Sequence, residues 1–100
     1  MAEKEQEPRY VISVAATMLG VKTHTLRYYE RIGVVHPSRS RGNIRLYSEQ
    51  DIAQLRRVKT LMDDMGVNMA GVEVILRISE RMLELQNRIR ELEDELAELK

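Results

Sequence analysis

The sequence predicts a mostly α-helical fold: short helices carrying a small β-hairpin, then a long C-terminal helix built to pair. Three observations carry that reading. Over residues 13–32, two runs with apolar residues at helical spacing are separated by little more than a glycine. A polar loop containing Gly42-Asn43 joins two β-rich runs. From Ile75 onward, apolar residues recur at alternating spacings of three and four as far as Leu99.

The elements follow in order. Ser13 is a good N-cap for a first helix through Leu19, and Gly20 supplies its stop. Only Val21 and Lys22 precede a second helix, Thr23 to Ile32, which ends at Gly33. Two short helices joined by a tight Gly-containing turn form a helix-turn-helix signature. Val34-Val35-His36-Pro37, the loop 38–43 and Ile44-Arg45-Leu46-Tyr47 then predict a hairpin. Such a ribbon is unstable alone and must lean on the helices as a wing. Ser48 opens a third helix whose apolar stripe is Ile52, Leu55, Val58, Leu61, Met62 and Met65, with Gly66 as its stop. The methionines fit as core filler. Asn68 caps a fourth helix through Val72, Ile75 and Leu76.

The seam residues Ile75, Ile78, Met82, Leu85, Ile89, Leu92, Leu96 and Leu99 keep a seven-residue repeat, the requirement for a two-helix coiled coil. Their flanks are charged, with Glu73–Arg77 and Glu84–Arg88 at the supportive i,i+4 spacing. Residues 1–8 are expected to be a disordered tail, residues 9–77 a winged helix-turn-helix domain and residues 78–100 a dimerisation helix.

Composition narrows the function classes. The 100 residues contain no Cys, Trp or Phe. That excludes a disulfide framework, a thiolate metal site and a thiol redox centre, and fits a reducing compartment. No apolar run approaches the ~20 residues needed to span a bilayer, and MAEKEQEP is too charged for a signal peptide. A cytoplasmic protein is expected. So small a chain is marginal alone, which favours a partner. The net charge of zero hides an asymmetry: residues 1–8 carry −2, residues 9–60 carry +7 and residues 61–100 carry −5. A basic body before an acidic, Leu-rich segment suggests that one part meets an anion and the other meets protein.

Three stretches carry a resemblance: Tyr10-Val11-Ile12-Ser13-Val14-Ala15-Ala16, Thr25-Leu26-Arg27-Tyr28-Tyr29-Glu30-Arg31-Ile32-Gly33, and Arg45-Leu46-Tyr47-Ser48 with Asp51-Ile52. Together they resemble the MerR family of bacterial transcription regulators over residues 10–99. Asn43-Ile44-Arg45-Leu46-Tyr47-Ser48 and Gly66-Val67-Asn68-Met69-Ala70-Gly71-Val72 are similar to its heat-shock repressor branch, HspR. The resemblance implies a homodimer paired through an antiparallel coiled coil and bound to double-stranded DNA at an inverted-repeat operator. It also implies RNA polymerase at the promoter and a DnaK-type chaperone as co-repressor. Lys22-Thr23 stand where the family commonly has Ser-Pro or His-Pro, and the cysteines of its metal and redox sensors are absent. No large ligand domain is expected, and neither a cofactor nor a metal.

By the same resemblance, Arg27 reaches a phosphate, where its planar fork suits two oxygens. Tyr28 presses on the DNA backbone, and Tyr47, which matches the aromatic after the wing, is likewise expected at a phosphate. Tyr29, one position round the helix, is expected in the core. The first turn of a recognition helix faces bases, which nominates Lys22, Thr23 and His24. Lys can donate to guanine, and Thr offers a hydroxyl and a methyl for thymine. Arg39, Arg41 and Arg45 place the wing on flanking backbone or minor groove. Lys59 and the helix start at Asn68 resemble second-wing phosphate contacts, the latter through backbone N–H groups.

An enzyme is not expected. The two histidines, His24 and His36, have no cysteine beside them, and no Gly-rich phosphate loop is present. Ser13 and His24 have nothing to orient them as a pair. A coiled-coil adaptor that never touches DNA is the rival class, and it leaves the basic segment unexplained. Within DNA binding, a promoter-untwisting activator and a GlnR-like nitrogen regulator remain open beside the repressor.

Overall fold

A computed structural model describes residues 5–100. The chain divides into two compact units, one reaching Val67 and the other spanning Asn68–Lys100. The tail expected over residues 1–8 lies partly outside the described residues.

The first unit contains β1 (Tyr10–Val11), α1 (Ile12–Leu19), α2 (Thr23–Ile32), β2 (Ser38–Arg39), β3 (Arg45–Tyr47) and α3 (Glu49–Lys59). Its three strands form an antiparallel sheet in the order β1-β3-β2. β1 has no counterpart in the sequence reading, and it explains why Ser13 is not an N-cap. Pairing of Tyr10 with Tyr47 and Val11 with Leu46 holds Val11 extended, so the helix begins directly at Ile12 without a side-chain cap. Ser13 instead lies inside α1, where its carbonyl accepts from the Thr17 hydroxyl at 3.0 Å.

The wing also differs from expectation. Val34 and Val35 are core residues rather than strand residues. Gly33 takes a left-handed turn (φ 86°), and the Val34 N–H bonds back to the Tyr29 carbonyl at 3.1 Å. This helix-ending motif favours an apolar residue beyond the glycine, and it folds Val34 onto the core. The pairing that remains sets Ser38 opposite Leu46 and Arg39 opposite Arg45. Arg41-Gly42-Asn43 make the tip: Asn43 N–H donates to Ser40 O at 2.9 Å, and Asn43 sits at φ 62°. Asn accepts that left-handed position at the end of a three-residue hairpin loop.

Ser48 caps α3 as expected, and Asp51 returns a bond to the Ser48 N–H, completing a capping box. Ile52, Leu55 and Val58 are buried. The expected stripe then breaks, because residues Thr60–Asp64 form a π-helical turn in which Met65 N–H reaches Thr60 O at 3.1 Å. The wider turn shifts every later side chain round the axis. Leu61 and Met62 end half-buried, and Met65 is exposed.

At the centre of the unit Tyr47 has 0% exposure, among buried Ala15, Ala16, Leu19, Leu26, Tyr29, Ile52, Leu55 and Val58. Its hydroxyl has no hydrogen-bond partner among the described residues.

The second unit is one helix, α4 (Met69–Glu98), of 30 residues. Asn68 caps it by accepting from Gly71 N–H at 2.9 Å. Val72 and Leu76 are buried, and from Glu80 onward every residue is exposed. Its surface ion pairs are Arg81–Glu84 and Arg88–Glu91 at i,i+3, at 3.1 and 3.0 Å, in place of the expected i,i+4 pairs. Exposed pairs of this kind contribute only a few tenths of a kcal/mol.

An unpaired buried hydroxyl costs about 1–3 kcal/mol, whereas a same-shaped apolar replacement is near neutral or better. Tyr47→Phe is therefore expected to leave the urea midpoint unchanged or to raise it. A loss of more than about 1 kcal/mol would mean that the hydroxyl has a structural partner.

Candidate nucleic-acid interface

The site is built on the corner between α1 and α2. Gly20 ends α1 at φ 68°, and the Val21 N–H bonds to Ala16 O at 3.0 Å. The Lys59 ammonium donates to Leu19 O at 2.9 Å, neutralising a carbonyl at the negative end of α1. A Cβ on Gly20 would stand 3.3 Å from the Lys59 nitrogen, and the left-handed φ disfavours one in any case. This corner sets the direction in which α2 leaves.

In α2, Leu26 and Tyr29 face the core, with the Tyr29 hydroxyl 3.9 Å from the Met62 sulfur. Burial pushes the Tyr29 hydroxyl pKa up, and the Asp63 charge adds to it. At about 100° per residue, Thr23, His24, Arg27, Tyr28 and Arg31 share the opposite face. Of these only Thr23 is half-buried; the other four are exposed. Arg27 Nη1 approaches Thr23 Oγ1 at 3.5 Å, one turn back on the same face. Lys22, at the N-cap, is exposed and makes no capping bond. The helix start thus presents a cation, an imidazole, a hydroxyl and a guanidinium to solvent. This is a donor set suited to phosphates and base edges.

The other expected contacts separate into groups. Arg41 is exposed at the wing tip. Arg39 and Arg45 are both bonded to Glu30 of α2: Arg39 Nη2 donates to Oε2 at 3.0 Å, and Arg45 Nε donates to Oε1. Lys59 is half-buried against the end of α1. Asn68 lies in the second unit, with its side chain committed to its helix cap. Tyr47 departs from expectation: a ring with no exposed surface reaches no phosphate, and its place is in the core. Burial also pushes its hydroxyl pKa up, with the Glu30 charge adding to it.

Arg31 and Glu30 join this region beyond the residues that the sequence nominates. Arg31 follows Arg27 by one turn, and that i+4 spacing was the available signal. Glu30 belongs to the stretch that carries the resemblance, but nothing local marks its pairing, because its partners lie 9 and 15 residues away. Among the described residues, no cluster of three or more His, Asp or Glu could hold a metal ion, and no helix is long and apolar enough to cross a membrane.

A helix-turn-helix carrying a three-stranded wing, with a charged face on its second helix, defines a class of transcriptional regulators. Residues 10–78 match the MerR HTH family regulatory protein, and the chain belongs to that family. It is 47% identical over 88 residues to "Putative heat shock protein HspR" of Streptomyces coelicolor, spanning 88% of this chain and 58% of that protein. The HTH-type transcriptional regulator GlnR of Bacillus anthracis is 33% identical over 82 residues, covering 82% of this chain and 63% of GlnR. The chain thus spans about three-fifths of the length of these relatives. A crystal structure of a MerR family transcriptional regulator from Bacillus cereus superposes with a TM-score of 0.59 at 26% identity, covering 89% of this chain and 78% of that one. HiNmlR, a MerR family regulator lacking the sensor domain and bound to promoter DNA, shares the fold with a TM-score of 0.64 at 23% identity, covering 91% and 75%.

The Glu30 cluster gives the head unit an acid dependence. Partial burial pushes the Glu30 carboxyl up, but hydrogen bonds from Arg45 and Arg39, with their charges, outweigh it and hold the group below its ordinary 4.5. A carboxyl depressed in the folded state adds stability above its unfolded pKa and loses it as pH falls through the folded value. The stability gap between wild type and Glu30→Gln is therefore expected to be constant above about pH 5.5 and to close progressively below about pH 4.5. A gap that stayed constant down to about pH 2 would remove the ion pairs from the account.

Proposed function

We propose that the chain is a sequence-specific DNA-binding repressor of heat-shock genes, acting as a homodimer on an inverted repeat. The observation that carries this reading is the exposed face of α2, where Lys22, His24, Arg27, Tyr28 and Arg31 stand clear of the core beside the wing. Arg27, Tyr28 and Arg41 contact phosphates, while Lys22, Thr23 and His24 read base edges. Membership in the MerR family supports the regulatory role, and the 47% identity to HspR, against 33% to GlnR, favours heat-shock genes over nitrogen genes. A DnaK-type chaperone as co-repressor and RNA polymerase at the promoter belong to the same proposal.

The homodimer rests on α4. Ile78, Met82, Leu85, Ile89, Leu92, Leu96 and Leu99 share one stripe and are exposed, from 41% at Leu92 to 84% at Leu99; Ile75, which starts the stripe, is half-buried. Residues 75–99 make about 36 Å of helix. Antiparallel pairing would put two heads near the ~34–36 Å between half-sites one turn apart. It would set Met82 of one copy against Leu92 of the other.

Arg27→Ala is expected to weaken binding to all duplexes alike and to lower the salt slope by about one. Substitution of Lys22 or His24 should instead cost ~1–3 kcal/mol at particular base pairs. A changed base preference with an intact slope in Arg27→Ala would reverse the two assignments. Binding that ignores salt altogether would favour a protein-interaction adaptor. The pairing direction is tested with Met82→Cys and Leu92→Cys, in a chain that has no other cysteine. Mixed variants should crosslink to each other faster than Leu92→Cys crosslinks to its own copy; the opposite order would show parallel helices.

A further inference from the structure

Glu30 sits where two like charges meet. Arg39 and Arg45 are direct partners across the β2–β3 ladder. Like charges in that position repel and weaken a pair of strands, and these strands have only two and three residues. One carboxylate resolves the conflict, giving one oxygen to each guanidinium. Arg39 is tied at a second point, its Nη1 donating to the Asn43 carbonyl at 3.3 Å, so the same clamp reaches the wing tip. The cluster is partly desolvated, with side-chain exposures of 24% for Glu30, 26% for Arg45 and 37% for Arg39. Among the described residues, the side-chain hydrogen bonds between α2 and the wing all end on Glu30.

Resting on the DNA-binding reading above, we infer that Glu30 is a specificity-determining residue. It withholds Arg39 and Arg45 from DNA phosphates and pins the wing to α2, so that the wing meets the backbone through Arg41. Sequence-independent affinity grows with the number of phosphates that cations neutralise. Two mobile arginines beside the recognition helix would raise affinity for every duplex equally. Held by Glu30, they add geometry instead: the wing keeps a fixed offset from the helix that reads bases. Specificity is a ratio of affinities, and lowering the non-specific member improves it as surely as a new base contact.

The test uses the full chain, a random-sequence duplex, and a duplex enriched by the wild-type chain from a randomised pool. Glu30→Gln frees both arginines. Its salt slope on the random duplex should steepen by up to about 1.8, or 0.9 for each guanidinium released. Between about 200 and 50 mM salt, its affinity relative to wild type should then rise by about tenfold. Discrimination between the two duplexes should fall. Asp64→Asn makes the same change of charge without releasing an arginine and should leave the slope alone. Adding Arg39→Gln and Arg45→Gln to Glu30→Gln should return the slope to the wild-type value. A merely structural Glu30 would give the opposite sign, with weaker binding to both duplexes and a shallower slope, and that result overturns the inference.

Should Glu30→Gln fail to fold by circular dichroism, Arg39→Gln/Arg45→Gln with Glu30 intact decides the matter. A wild-type slope supports the clamp, and a slope shallower by about 1.8 makes both arginines phosphate ligands. If the wild-type chain binds neither duplex, it is the DNA-binding reading that fails.

Discussion

The head unit is organised by burial of Tyr47 at the middle of a sheet too short to exist alone. β3 has three residues, and it pairs with β1 on one side and β2 on the other. A ribbon of that size gains too little from its ladder to offset the entropy of ordering it. Tyr47 supplies what the ladder cannot: full burial of a large ring, worth on the order of 2 kcal/mol, on the helices. Two residues back along the same strand, Arg45 is half-buried and tied to Glu30. One short strand therefore fixes β1, the start of α1, the wing and its distance from α2. The unpaired hydroxyl is what this central position costs.

The charge pattern gains meaning once the committed cations are set apart from the free ones. The sequence puts a net +7 on residues 9–60. In the structure Arg39 and Arg45 share Glu30, Lys59 serves the end of α1, and Arg9 lies 3.5 Å from Glu7 and 3.7 Å from Glu49. Lys22, Arg27, Arg31 and Arg41 are exposed on α2, at its start and at the wing tip. Net charge measures the attraction of a segment for an anion; the geometry decides which side chains can answer it. Arg56 and Arg57 are exposed on α3, so four of the six uncommitted cations stand on or around α2 and the wing tip, with His24 and Tyr28.

What could be read from the sequence follows from how local each signal is. The helix-turn-helix, the Ser48 and Asn68 caps and the Gly20 and Gly33 stops are written within a few residues, and the structure has all of them. Tyr29 in the core followed from helical period. β1 could not be read, because two residues contain no alternation to detect. Val34 and Val35 have strand composition, and only the turn at Gly33 sends them inward. The π-helical turn at Thr60–Asp64 carries no pattern of its own, and it takes Met65 off the stripe that helical period assigns to it. The resemblance assigns both Tyr28 and Tyr47 to DNA, and burial separates them: Tyr28 is exposed, Tyr47 is not.

The same distinction between local and distant support bears on α4. A helix gains little from propensity alone and most from packing an apolar face. Val72 and Leu76 are buried near its start, but from Glu80 to the end every residue is exposed. The ion pairs along that stretch are largely exposed and worth little. What remains is an exposed line of Met, Leu and Ile side chains, each worth roughly 1.5–3 kcal/mol when fully covered. Under the proposed pairing, that covering energy is what keeps the distal helix helical, so helix and dimer form together. The two heads would then be held at a distance set by helix length rather than by any contact between them. In that proposal, half-site spacing on DNA would follow from the number of residues in the seam.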